Sequence, residues 1–78
     1  MTITAASLLA EGTRRLTLAG LDCARQDALR LMAQALGTDR LSVYVEPRRS
    51  VDARSAASFR ALLDRRAAHE PVQHILGF

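Results

Sequence analysis

The sequence contains no tryptophan, no lysine and no asparagine, and it has one cysteine, two prolines and four glycines. With Cys23 alone, no internal disulfide can form, which fits a reducing compartment, and the cytoplasm is expected. The glycines (Gly12, Gly20, Gly37 and Gly77) are isolated, so no glycine-rich turn between strand and helix is available to cradle a phosphate. His69 and His74 are separated by a proline at a spacing that does not stack two ligands on one helix face, and Cys23 is the only other soft ligand. No metal is assigned, and no Ser-His-acid cluster can be argued. The longest uncharged stretch, Met1 to Ala10, is too short to span a bilayer and lacks a basic leader, so neither a membrane nor an export segment is expected.

What is present describes one small domain. The chain has 78 residues, with 11 basic side chains, all arginine, against 8 acidic ones for a formal charge of +3. A domain of this size buries only about 60% of its unfolded surface, so a large catalytic cleft is hard to build and an autonomous enzyme is not expected. The apolar share of 49% beside 24% charged residues is that of a folded globular protein. Alanine and leucine dominate, and the aromatics are only Tyr44, Phe59 and Phe78, which favours helix over sheet. The charge is not gathered into a basic patch, so an acidic protein partner fits as well as a nucleic acid.

The apolar spacing predicts an all-α fold, a compact bundle of about five helices, three longer and two short, spanning residues 1–78 as one domain. A first helix from about Ile3 to Leu16 places Ile3, Ala6, Leu9, Ala10, Thr13 and Leu16 on one face, with Thr2 or Thr4 as cap and Gly12 as a local weakness. A second begins at Asp22 or Cys23, carries Ala24, Ala28, Leu31, Met32, Ala35 and Leu36 inward, and stops at Gly37. Its other face, with Arg25, Gln26, Asp27, Arg30 and Gln34, reads as solvated, with a weak Asp27 and Arg30 pair. Asp39 caps a short third helix over Leu41, Val43, Tyr44 and Val45 that Pro47 ends. A fourth starts at Ser50 or Asp52 and runs to about Ala68, with Ala56, Phe59, Leu62, Leu63 and Ala67 inward and Phe59 at the packing centre. Pro71 opens a fifth, short helix to Leu76, ended by Gly77. The apolar tail Ile75-Leu76-Gly77-Phe78 reads as cut from something longer.

Two features invite a functional reading. Ala33, Gly37 and Val43 have the spacing of a helix-turn-helix unit, but Pro47 truncates the second helix, and Asp39 and Glu46 on it repel phosphate. Nucleic acid is therefore not the expected partner. Cys23 at a helix start could be activated by the helix end, but no acid-base group is predicted beside it, so a small buried or capping thiol is expected.

The run Arg65-Arg66-Ala67-Ala68-His69-Glu70-Pro71-Val72-Gln73-His74-Ile75-Leu76-Gly77 resembles the Arg-Arg-x-x-Gly-Glu-Pro-Val-x-x-Ile-x-Gly signature that closes the N-terminal domain of release factor glutamine methyltransferases, the HemK or PrmC family. Upstream, Ala24-Arg25-Gln26-Asp27-Ala28 with Leu31, Ala35, Leu36 and Gly37 is similar to the family's Arg-x-Asp-Ala-Glu-x-Leu-Leu segment. His69 replaces the pattern's glycine, which sets a steric cost on any left-handed backbone there, and Leu29 replaces its glutamate.

The resemblance implies a helical substrate-recognition domain followed, outside this chain, by a methyltransferase domain that binds S-adenosylmethionine and methylates the glutamine of the Gly-Gly-Gln motif of peptide-chain release factors. This chain then needs no cofactor, and its partners are release factors and its own C-terminal methyltransferase domain. Arg65, Arg66, Glu70, Pro71 and His74 are expected near the junction with that domain, and Arg25, Arg48 and Arg49 on the release-factor side. Replacing Arg65 and Arg66 together is expected to weaken methylation without unfolding the domain. The competing class is a stand-alone helical nucleic-acid-binding or protein-interaction module.

Overall fold

A computed structural model describes residues 2–77; Met1 and Phe78, the latter counted above with the aromatics and the apolar tail, lie outside the described residues. Five helices follow in order: α1 (Ala5–Leu18), α2 (Ala24–Leu36), α3 (Arg40–Val45), α4 (Ala53–Ala67) and α5 (Val72–Leu76). The all-α bundle expected from the apolar spacing is what forms. Helix α2 is its hub, packing against each of the other four, while α3 packs closely only on α2.

Local chemistry sets the helix ends. Thr4 caps α1 in a reciprocal box with Ser7: Thr4 Oγ1 accepts from the Ser7 amide at 3.1 Å and Ser7 Oγ accepts from the Thr4 amide at 3.2 Å. The next two free amides, Ala5 and Ala6, donate to the carbonyls of Arg49 (2.9 Å) and Pro47 (2.7 Å). The connection after α3 is thereby tied to the start of α1. Asp39 and Asp52 cap α3 and α4 by accepting from Ser42 and Ser55 amides at 2.7 and 2.6 Å. Pro71 is the cap of α5 rather than its first residue, so that helix begins one position later than expected.

The buried core joins Leu8, Leu16, Leu31, Met32, Phe59 and Leu63 with smaller residues of all five helices. On α1 the inward face is Ala5, Leu8, Leu9, Gly12 and Leu16, whereas Ala6 and Ala10, expected inside, are exposed. The rotation buries two adjacent leucines and leaves out alanines that gain little from burial. Gly12 is a notch rather than a weakness. A methyl group there would stand 2.8 Å from Phe59 Cζ and 3.1 Å from Leu63 Cδ2, closer than packed carbons approach. Phe59 does sit at the centre, edge-on to this notch.

Four carboxylates are held below their ordinary range, and each by a donor that acts on the charged form. Glu11 is lowered by the Arg60 guanidinium, Glu70 by Arg65, and Asp39 and Asp52 by the amides of Ser42 and Ser55. A carboxylate whose folded pKa is depressed contributes stability above its unfolded value and loses it as pH falls through the folded one. The melting temperature should therefore be nearly flat from pH 7 to about 5, then fall once the ordinary carboxylate range near 4 is crossed. Circular dichroism melts across pH 3–7 check this, and a protein equally stable at pH 3 would contradict it.

Candidate functional site

The signature run folds into a corner between α4 and α5, and its charged residues are used within the domain. Arg66 Nε donates to Asp27 Oδ2 on α2 at 3.0 Å, and its Nη1 donates to the Glu70 carbonyl at 3.0 Å. The Asp27 side chain is 6% exposed and that of Arg66 19%. Asp27 therefore does not lie on a solvated face paired with Arg30, because a partner 39 residues away draws it inside. Arg65 forms a two-toothed pair with Glu70, its Nε donating to Oε1 at 3.0 Å and its Nη2 to Oε2. The two arginines therefore have distinct roles, Arg65 on the surface and Arg66 as a largely buried strut. Replacing both together would cost stability, contrary to the expectation above.

His69 makes the turn itself. Its φ is +69°, the left-handed geometry the glycine of the resembled signature would adopt freely. The His69 amide donates to the Arg66 carbonyl at 2.8 Å and the Glu70 amide to the Arg65 carbonyl at 3.2 Å. This is the bond pair of a Schellman ending, which also closes α1 at Gly20 and α2 at Gly37. His69 offsets part of its steric cost by donating from Nε2 to the Ala19 carbonyl at 3.0 Å.

His69→Ala keeps the strain and loses this bond, while His69→Gly loses the bond and the strain together. The glycine variant should be more stable than the alanine variant by about 0.5–1 kcal/mol and within about 0.5 kcal/mol of the parent. Urea melts of the three proteins measure both differences, and an alanine variant as stable as the glycine one would contradict the account.

Arg65, Arg66, Glu70, Pro71 and His74 share the corner between α4 and α5, with Pro71 and His74 exposed. Arg48 and Arg49 sit on the connection between α3 and α4 that is bonded to the start of α1. Arg25, exposed on α2, lines a shallow groove of about 240 Å³ with Leu9, Val43, Tyr44 and Pro47. The structure thus brings together the first set, while the second is divided between α2 and the connection after α3. Cys23 is exposed at the start of α2 and makes no capping bond, so the expected burial is not found. Among the described residues, no three His, Cys, Asp or Glu side chains gather closely enough to hold a metal, and no helix is long and apolar enough to cross a membrane.

Fold and site define a small all-α module whose ion pairs fasten its own elements to one another. The family model described as the PrmC N-terminal domain matches residues 7–77, and the chain belongs to that family. The chain is 35% identical over 77 residues to a release factor glutamine methyltransferase of Caulobacter vibrioides, which covers 99% of the chain and 27% of that relative. It is 33% identical over its whole length to one of Aliivibrio fischeri, covering 28% of it, and 40% identical over 58 residues to one of Geobacter sulfurreducens. The chain thus spans about a quarter of the length of the first two relatives. No solved structure matches it.

Proposed function

We propose that these residues form the release-factor recognition domain of a protein-(glutamine-N5) methyltransferase. The reading rests on one observation: relatives named release factor glutamine methyltransferase align along the whole chain, which accounts for only about a quarter of their length. The methyl transfer, on the glutamine of the Gly-Gly-Gln motif, belongs to the remainder of such an enzyme. The three left-handed glycines here, Gly20, Gly37 and Gly77, end helices.

The domain's contribution is binding energy. Contacts made far from the reacting amide hold the folded release factor so that its glutamine loop meets the catalytic domain in one orientation. Pro71 and His74 offer exposed contacts to that domain, while Arg65, Arg66 and Glu70 act through the corner they brace, setting the direction in which α5 leaves. Arg25, Arg48 and Arg49 face the release factor.

Titration of the native gene product with purified release factor and with duplex DNA, at two salt concentrations, tests the reading. Saturable binding to the release factor with weak, steeply salt-dependent binding to DNA is expected. Preference for DNA would overturn it.

A further inference from the structure

Three hollows in the surface, of about 760, 450 and 240 Å³, all border α3 or its cap. The largest runs from Asp39 and Arg40 to Val72 and Leu76 of α5. The second is walled by Leu41 and Tyr44 on one side and Leu29 of α2 on the other, and the smallest separates Val43 and Tyr44 from Leu9 and Ala10 of α1. A helix with open space on three sides makes few of the dispersion contacts that hold the other helices. Among residues 39–51 only Val43 and Val51 are buried, and none of the four ion pairs involves this stretch. Six residues are too few to hold a helix by themselves, and the Val43 amide reaches the Asp39 carbonyl only at 3.4 Å.

Against this loose packing stand three short backbone bonds, all to one edge of the domain. The Ala6 and Ala5 amides donate to the Pro47 and Arg49 carbonyls at 2.7 and 2.9 Å, and the Val51 amide donates to the Ile3 carbonyl at 2.8 Å. Thr4 and Ser50 thereby face each other in an antiparallel bridge. The stretch so held lies between two helix ends, the left-handed Gly37 with open space around it and the Asp52 cap of α4.

We infer that residues 39–51 are a flap that opens from the bundle as one unit while α1, α2 and α4 stay packed, and that Ile3, Ala5 and Ala6 are the strap that holds it shut. A fold opens first where buried apolar contacts are few and the backbone bonds are near solvent, and this stretch meets both conditions. Helices α1, α2 and α4 instead share Leu8, Leu16, Leu31, Phe59 and Leu63 in one core and are cross-linked by ion pairs. Opening uncovers the face of α2 on which α3 lies, together with Val43 and Val51. The flap carries Arg40, Arg48 and Arg49, so the strap also sets where these stand relative to Arg25 of α2. Neither part depends on what the domain binds.

Amide hydrogen exchange of the native gene product, read residue by residue, tests both parts. In the parent, Ala5, Ala6, Val43 and Val51 should share one protection factor, about tenfold or more below those of Leu16 and Leu31 in the core helices. Two variants then separate flap from core. Ala6→Pro removes one strap donor at an exposed position of the first helical turn, where proline is tolerated, and should lower protection at Ala5, Val43 and Val51 about fivefold. Leu63→Val trims the core outside the flap. It should lower protection at Leu16 and Leu31 about fivefold and leave Val43 and Val51 unchanged, because Leu63 stays packed when the flap is open. Val43 and Val51 as protected as Leu31 in the parent would overturn the flap. So would Val51 exchanging far faster than Val43, since the strap alone would then be fraying. Unchanged protection at Val43 and Val51 in Ala6→Pro would overturn the strap.

Discussion

Phe59→Ala is expected to cost about 3–5 kcal/mol, because the ring lies 1% exposed at the meeting of three helices and no neighbour can fill its volume. A domain of this length has roughly 4–12 kcal/mol of stability in all. The variant should therefore melt more than about 15 °C below the parent or be largely unfolded at 37 °C. The notch opposite the ring supplies an internal check. Gly12→Ala should destabilise the parent, since the new methyl meets Phe59 Cζ at 2.8 Å and the overlap outweighs the gain of about 1 kcal/mol in helix propensity. In the Phe59→Ala background the same change should cost less than in the parent, because the shortest overlap is gone while the approach to Leu63 Cδ2 at 3.1 Å remains. Denaturant melts of the four proteins give the coupling energy directly, and strictly additive effects would show that the notch and the ring are not matched.

The second large effect concerns the strut. Asp27→Ala leaves the Arg66 guanidinium largely buried with only the Glu70 carbonyl to receive it, and breaking a buried pair in this way costs about 3 kcal/mol. Replacing both partners with apolar residues of similar size, Asp27→Leu with Arg66→Met, should cost much less than Asp27→Ala, since neither charge is then stranded. The damage from Asp27→Ala should spread to α5, because Arg66 is what fastens the Glu70 backbone that leads into it. Amide exchange should rise at Ile75, which is buried in the parent, before it rises in α2. Arg65→Ala, by contrast, removes an exposed pair and should cost less than about 1 kcal/mol. Equal losses for the Asp27 and Arg65 variants would refute the distinction between strut and surface pair.

These residues also mark what could be read from sequence and what could not. The cap at Asp39, the left-handed stop at Gly37 and the central place of Phe59 follow from local chemistry and period and are where spacing put them, and of the two caps open for α4, Ser50 and Asp52, it is Asp52 that caps. Asp27 was not legible, because helical period places it among Arg25, Gln26 and Arg30 and the residue that buries it comes from α4. The face of α1 was misjudged because Gly12 carries no hydrophobic signal although it is the point of closest approach. The α3 residues mislead in the opposite direction: Leu41, Tyr44 and Val45 read as apolar and are outside, since a helix of six residues packed on α2 alone can bury little. The motif that carried the resemblance was legible as a pattern, but its work of bracing a corner depends on distances the pattern does not contain.

Under the proposed function, the domain holds the folded release factor for a catalytic domain that could act without it. The most direct test compares kcat/KM of the proposed full-length enzyme, with and without residues 1–78, on intact release factor and on a short peptide carrying the Gly-Gly-Gln loop. The account predicts that removing the domain lowers kcat/KM on the intact factor by about tenfold or more and leaves the peptide reaction unchanged. An equal loss on both substrates would contradict it, because the domain would then serve the catalytic centre and not the grip on the substrate.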